Sequence, residues 1–167
     1  MDLGRGRPPK PSAIDKWGGI EYDTGMGAPQ IVIDTSVFIA ALRSRQGASH
    51  KLFTLIDSGR FEVNISVPLI LEYEEAAKRL VGHLALTARD IDNIIDYICA
   101  VANHRTVFYL WRPFLRNPQD DWVLELAVTA TCEYIVTYNQ HDFEGIQRFG
   151  IQAVTAKEFL QGIGELA

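Results

Sequence analysis

The sequence predicts an α/β fold, a three-layer sandwich with a central parallel sheet of about four to five strands flanked by helices. Two observations support it. Short β-branched runs such as Ile31–Ile33 are typical of strands buried on both faces. These runs alternate along the chain with stretches of helical periodicity, and strands that alternate with helices form parallel sheets. The 167 residues fit one domain with a substantial core.

Composition and charge narrow the class of protein. Hydrophobic residues at 47% and charged residues at 22% are ordinary for a soluble globular protein, and no apolar run is long enough to span a bilayer, so we expect a cytoplasmic protein. The formal net charge of −5 argues against broad electrostatic binding of nucleic acid. It does not exclude a nuclease, because bound cations partly neutralise an acidic catalytic centre. Cys99 and Cys132 lie far apart in apolar patterns, which predicts reduced thiols.

Residues 1–29 differ from the rest of the chain, since many glycines and prolines interrupt any periodic pattern there. We predict a flexible, basic leader over 1–29 and a folded domain over 30–167. Arg5 and Arg7 flank a glycine as in the core of an AT-hook, which suggests weak contact with the minor groove of DNA. A solvated tail is the alternative. Because Met26 could be the true start of translation, the sequence leaves open whether this leader is genuine.

The first half of the domain predicts two strand and helix pairs. The strand Ile31–Ile33 ends at Asp34, and a helix follows at once. A polar turn leads to a second helix over 48–58, which Gly59 ends. A second strand over 61–65 precedes a helix over 67–81, for which Ser66 is the predicted cap and Pro68 lies in the first turn.

The second half continues the alternation. Thr87 caps a helix predicted over 88–102, which we expect to form a hairpin with the helix before it. A third strand is predicted over 106–110, followed by a polar loop over 115–119 and a helix over 122–131. A fourth strand over 134–137, a loop over 138–145, a strand over 151–154 and a helix from its cap Thr155 to Gln161 complete the chain.

Acidic residues follow the strands of this predicted sheet. Carboxyl ends of parallel strands meet at one edge, where α/β proteins bind ligands. Several acids at one edge repel one another unless a cation lies between them, and an all-oxygen site suits Mg²⁺ or Mn²⁺. The candidate metal ligands are Asp34, Glu72, Asp120, Asp121, Asn139 and Asp142.

Each candidate has a structural alternative. Asp34 could simply cap a helix, the doublet Asp120–Asp121 could place favourable charge at a helix N-terminus, and Asp142 could form an Asx turn. Glu72 is harder to explain in this way, because its neighbours place it on an apolar helix face where a carboxylate needs a partner.

Two further groups of residues could support catalysis. Thr35, Ser36 and Thr137 could orient water or a metal ligand. Arg43, Arg45 and Lys51, in or just after the turn past the first helix, are candidate phosphate contacts, with plain solvated surface as the alternative.

These motifs resemble the PIN domain, the metal-dependent ribonuclease fold of VapC-like toxins in toxin–antitoxin pairs. The resemblance covers about 30–161 and rests on IVIDTSVFIAAL, ISVPLILEYEEAAKR and NPQDDWVLELAVTATCEYIVTYNQHDF. It implies catalytic acids at Asp34, Glu72 and Asp121, with Asn139 or Asp142 in the fourth position. Many relatives have Asp where Asn139 stands, so Asp142 would compensate here.

The resemblance also implies an RNA substrate and an antitoxin partner, and it allows a homodimer. The main alternative is a catalytically weak binding module of the same fold with an AT-hook-like leader. Two other acid-site folds are disfavoured. A response-regulator receiver needs an acidic doublet after the first strand, and a D-x-D phosphatase needs a second Asp at the position of Ser36. The sequence does not identify the RNA, the antitoxin or the number of metal ions.

Overall fold

The computed structural model describes residues 27–108 and 114–167. Within this part of the chain, five strands form one sheet in the order β3-β2-β1-β4-β5, and every neighbouring pair is parallel. The predicted parallel α/β fold is therefore confirmed. The strands are β1 Gln30–Ile33, β2 Glu62–Ile65, β3 Asn103–His104, β4 Tyr134–Val136 and β5 Gln152–Val154.

Helices connect these strands. In the described residues they are α1 Thr35–Arg43, α2 Ala48–Thr54, α3 Val67–Lys78, α4 Ala88–Val101, α5 Pro118–Thr129 and α6 Ala156–Gly162. The predicted caps of three helices are confirmed: the Ser66 hydroxyl accepts from the backbone of α3, while Thr87 and Thr155 each form a capping box at the start of α4 and α6. No helix of the described residues is long and apolar enough to cross a membrane.

The strand order creates a crevice beside β1. From β1 the chain builds outward through β2 to β3, then returns to the other side of β1 with β4 and continues to β5. The direction of winding therefore reverses between β1 and β4. In open α/β sheets, ligands bind beyond the carboxyl ends of the strands at such a reversal. The residues that follow β1 and β4 are thus placed where a ligand is expected.

The core lies around β1, whose residues Ile31–Ile33 are fully buried. Helix α5 packs against β1, β2 and β4. Next to β1, the ring of Tyr73 on α3 stacks on Phe38 of α1 at 4.5 Å between centroids, and the Tyr73 hydroxyl donates to the carbonyl of Ile33. This contact fixes α3 against the end of the strand that leads to Asp34. Both cysteines are free, as predicted.

The predicted third strand over 106–110 is wrong in its described part. The strand is instead Asn103–His104, and residues 105–108 have no regular structure, while 109 and 110 lie outside the described residues. The reason is the length of its partner: the Arg105 N–H donates to the carbonyl of Ile65, the last residue of β2. Beyond this point no β2 residue remains to pair, so the β-prone run continues without a ladder and Phe108 is exposed.

Several helix limits also differ from the prediction. Helix α5 begins at Pro118 rather than at residue 122, because the Asn117 side chain caps it by accepting from the Gln119 N–H at 3.2 Å. Helices α2 and α3 end earlier than predicted, at Thr54 and Lys78. The loop after β4 contains two short 3-10 turns, Gln140–Phe143 and Ile146–Phe149. The early start of α5 matters most, since it places the acidic doublet inside the first helical turns.

Candidate active site

Asp34 directly follows β1, and hydrogen bonds hold both its backbone and its side chain. Its backbone N–H donates to the carbonyl of Val136 on β4 at 2.9 Å, and its side chain is only 6% exposed. One carboxylate oxygen, Oδ2, accepts from the hydroxyls of Ser36 and Thr137, both at 2.8 Å. Although Asp34 precedes α1, its side chain makes no capping hydrogen bond to that helix. Capping therefore does not explain this carboxylate.

The two hydroxyls that hold Asp34 are themselves fixed by the backbone after β4. The Ser36 oxygen accepts from the Tyr138 N–H at 3.2 Å, and the Thr137 oxygen accepts from the Asn139 N–H at 3.0 Å. Each hydroxyl donates its proton to Asp34, so the network restricts the orientation of the Asp34 carboxylate. Ser36 and Thr137 therefore hold the Asp34 carboxylate, and their role in catalysis stays a prediction.

Glu72 lies on α3, half-buried and close to Asp34. Burial raises the pKa of Glu72, and the negative charges of Asp34 and Glu75 raise that pKa further, while the Thr35 hydroxyl lowers it. Thr35, the third predicted hydroxyl, therefore lies close to Glu72. Glu72 and Asp34 therefore belong to one electrostatic site.

Asp120 joins the same site from α5. Burial raises the pKa of Asp120 to about 6, and the charges of Asp34, Asp142 and Glu72 add to this effect, while a hydrogen bond from Asn117 opposes it. Asp120 is therefore within electrostatic range of these three acids. Asp120 thereby connects acids from four separate segments of the chain.

Asp121 has different surroundings from Asp120. It is 1% exposed, and its Oδ1 accepts from the backbone N–H of Leu115 at 2.9 Å. The bond ties the segment before α5 to the helix itself. The two members of the doublet therefore have different partners. Asp120 interacts with the other acids, and Asp121 binds the backbone of the segment before α5.

Asp142 and Asn139 lie in the turn after β4. The Asp142 N–H donates to the Asn139 carbonyl at 3.0 Å, and the Asp142 carboxylate lies 3.0 Å from Nε2 of His141. The Asn139 side chain is exposed. His141 was not among the predicted site residues, although it directly precedes a candidate acid. The structure thus brings Asp142, through its effect on Asp120, into the acidic site.

The candidate phosphate contacts separate into two groups. Arg43 and Arg45 are exposed and line a cavity of about 740 Å³ between α1, α2, α4 and the connection before α4, together with His50 and His83. Lys51 instead donates to the backbone carbonyl of Glu165, which fastens α2 to the end of the chain. The two arginines are therefore exposed at a cavity, whereas Lys51 is engaged within the fold.

The donor atoms suit a hard divalent cation. Asp34, Glu72, Asp120 and Asp142 offer carboxylate oxygens, which Mg²⁺ and Mn²⁺ prefer. Among the described residues, one buried oxygen of Asp120 and one of Asp121, Oδ2 in each, accept no hydrogen bond. Buried oxygens of this kind need a compensating partner. In the described part of the chain, however, no three acidic, histidine or cysteine side chains are close enough together to hold one ion.

The sheet is parallel, and acidic side chains lie at the edge where its winding reverses. The protein therefore belongs to the class of α/β proteins whose ligand-binding edge carries carboxylates. Comparison with family models identifies the family: the model described as "PIN domain" matches residues 30–141. The chain therefore belongs to the PIN domain family, as the sequence motifs suggested. A comparison with curated proteins gave no match.

Solved structures share this fold at low sequence identity. VapBC-1 from nontypeable Haemophilus influenzae matches with a TM-score of 0.52 and 14% identity, over 77% of this chain and 98% of that chain. VapBC2 from Rickettsia felis, bound to a DNA fragment from its promoter, matches with a TM-score of 0.52 and 12% identity, over 75% of this chain and 98% of that chain. At these identities the likeness supports the fold.

Proposed function

We propose that this protein is a metal-dependent endoribonuclease that hydrolyses phosphodiester bonds of RNA, and that it is the toxin of a toxin–antitoxin pair. The observation that carries the proposal is the convergence of Asp34, Glu72, Asp120 and Asp142, because the first, second and fourth of these acids all raise the pKa of Asp120. Three carboxylates that each disfavour the ionised form of Asp120 make that form costly at the ligand edge of a sheet unless a cation is bound there.

In this proposal, Mg²⁺ or Mn²⁺ is held by Asp34, Glu72, Asp120 and Asp142. A bound ion would supply a water of lowered pKa and offset charge on the phosphate. Ser36 and Thr137 keep Asp34 in a fixed orientation for that ion. Asp120 is the proposed first ligand from α5, because Oδ1 of Asp121 already accepts from the Leu115 N–H. Asp121 stays a second candidate from α5, since its buried Oδ2 accepts no hydrogen bond.

The substrate would approach along the side of the domain that carries Arg43 and Arg45. Arg43, at the end of α1, is nine residues beyond Asp34, which corresponds to about 13 Å of helix. Arg43 and Arg45 would contact phosphates of the RNA several nucleotides from the cleaved bond. Lys51 donates to the Glu165 carbonyl and is therefore not one of the proposed phosphate contacts.

Cleavage of a single-stranded RNA with Mn²⁺ tests the activity. We expect the wild-type chain to cleave, and Asp34→Asn and EDTA-treated wild type to be inactive. Asp57→Asn is a matched control, because Asp57 is an exposed acid in the turn after α2. Equal cleavage by wild type, Asp34→Asn and EDTA-treated protein would refute the proposal and indicate a contaminating nuclease.

A PIN-fold binding module without catalysis is the second candidate. One observation favours it: among the described residues, no three acidic, histidine or cysteine side chains are close enough together to bind one ion. Calorimetry with Mn²⁺ separates the two functions, since a binding module has no need of the ion. Heat of binding that disappears in Asp120→Asn would support the nuclease, and an absence of heat in the wild type would support the module.

An antitoxin is the proposed protein partner. Both solved relatives described above are VapBC proteins, and an antitoxin would inhibit by covering the acidic site. Adding the product of a small neighbouring gene should stop RNA cleavage in proportion to its concentration. Light scattering would test the proposed homodimer. The proposed DNA contact through Arg5 and Arg7 lies outside the described residues.

A further inference from the structure

Three side chains, from two segments that also carry acids of the site, form a group that the proposed mechanism does not use. The rings of Phe114 and Phe149 meet edge to face, with 5.2 Å between centroids and 74° between planes. The Arg148 guanidinium carbon lies 5.5 Å from the Phe114 centroid and 5.7 Å from the Phe149 centroid. We call Phe114, Arg148 and Phe149 the aromatic–arginine cluster. It joins two segments that are distant in sequence.

Both of these segments also carry acids of the site. Phe114 precedes Leu115, whose N–H is held by Asp121 at the start of α5. Arg148 and Phe149 belong to the turn that closely follows Asp142. The two segments touch at Gly145, where an added Cβ would lie 3.5 Å from the Phe114 ring. The cluster is therefore attached to the same two segments that bring Asp120 and Asp142 together.

Two members of the cluster are exposed, while Phe114 is half-buried against the core. Arg148 is exposed, and Phe149 is 36% exposed, whereas Ile146 in the same turn is buried and anchors that turn to the core. An exposed aromatic surface with an adjacent guanidinium is suited to nucleic acid, because bases stack on aromatic rings and on arginine. A cation there would also offset the repulsion between an anionic strand and a chain of net charge −5.

We propose that the aromatic–arginine cluster is a stacking platform that binds one base of the single-stranded RNA substrate beside the bond that is cleaved. The inference rests on the proposed nuclease function and deepens it by assigning a base-binding site. Stacking tolerates every base, so the platform positions the strand without dictating its sequence. The phosphate next to the stacked base faces Arg148.

Binding of fluorescent single-stranded RNA of about a dozen nucleotides to the full chain carrying Asp34→Asn measures the platform without cleavage. We expect Phe149→Ala and Arg148→Gln to weaken binding by about five-fold to a hundred-fold, the range for lost base stacking. Phe149→Tyr should restore binding, and Arg89→Gln, an exposed arginine on α4, should leave it unchanged. Melting temperatures of all variants check that the fold is retained.

A scan with abasic nucleotides gives a readout that a structural role would not alter. Removing one particular base should weaken binding to the Asp34→Asn protein, and should have no further effect when Phe149→Ala is also present. Unchanged RNA binding in Phe149→Ala and Arg148→Gln, in a chain that cleaves RNA, would overturn the platform alone. Failure of the wild type to cleave any RNA would overturn the proposed function and the platform with it. If Phe149→Ala and Arg148→Gln abolish inhibition by the antitoxin but leave RNA binding intact, the cluster contacts a protein, and the platform is also refuted.

Discussion

Replacing Asp120 by Asn should make the metal-free protein more stable at neutral pH, although it removes a proposed catalytic residue. The pKa of Asp120 is raised from 3.8 to about 6, first by burial and then by the charges of Asp34 and Asp142. The folded chain therefore holds a proton on Asp120 more tightly than the unfolded chain does. This contribution to stability is fully present below about pH 4 and is lost as the pH rises through about 6.

The expected gain can be estimated from the same values. The difference between about 6 and 3.8 corresponds to about 3 kcal/mol of unfavourable interaction at pH 7.5. Asp120 is only partly buried, so solvent screening reduces this to about 1 kcal/mol. Because Asn carries no charge, Asp120→Asn should raise the free energy of unfolding by about 1 kcal/mol at pH 7.5 and by much less at pH 4.5.

Urea unfolding in EDTA at these two pH values measures the effect, with Asp57→Asn as an exposed control. Saturating Mn²⁺ should reverse the order at pH 7.5, because ligand at a hundred times its dissociation constant adds about 2.7 kcal/mol to the wild type and little to Asp120→Asn. A variant that is less stable than the wild type in EDTA at pH 7.5 would refute the placement of Asp120 among the other acids. A gain that did not depend on pH would refute its electrostatic origin.

Three further variants test other parts of the site. Ser36→Ala combined with Thr137→Val removes both donors to Asp34 Oδ2 and should weaken Mn²⁺ binding about ten-fold to a hundred-fold, as loss of groups that orient metal ligands does; an unchanged Mn²⁺ affinity in calorimetry would contradict this. Tyr73→Phe removes the hydroxyl that donates to Ile33 and should cost about 1 kcal/mol in urea unfolding, so a chain of unaltered stability would argue against that bond. Arg45→Gln should reduce the slope of log K for RNA binding against log salt by about 0.7, and an identical slope would place Arg45 away from the phosphates.

Features that depend on neighbours in sequence were predictable. Ser66, Thr87 and Thr155 cap their helices as expected, because each bonds to a backbone N–H within three residues. The buried strand before Asp34 was also predictable, since an uninterrupted β-branched run has few alternatives to a central strand. Asp34 and its position at the sheet edge follow from these local signals.

Features that depend on distant partners were not predictable. The third strand ends early because β2 ends, and no signal near residue 105 carries that information. Lys51 is engaged by a carbonyl more than a hundred residues away, which charge patterning cannot reveal. One missed signal was local: Asn117-Pro118 combines a favoured cap residue with proline in the first helical turn, which predicts the start of α5.

The start of α5 decides what each member of the acidic doublet does. Consecutive residues of a helix point about 100° apart, so the two carboxylates of a doublet inside a helix start in different directions. With the cap at Asn117, Asp120 faces the acids at the winding reversal and Asp121 faces the chain before the helix. The bond from Asp121 to Leu115 then fixes the residue next to Phe114, the first member of the aromatic–arginine cluster. A doublet that seems redundant in the sequence therefore has two distinct placements, one toward the proposed metal ligands and one toward the proposed platform for the substrate.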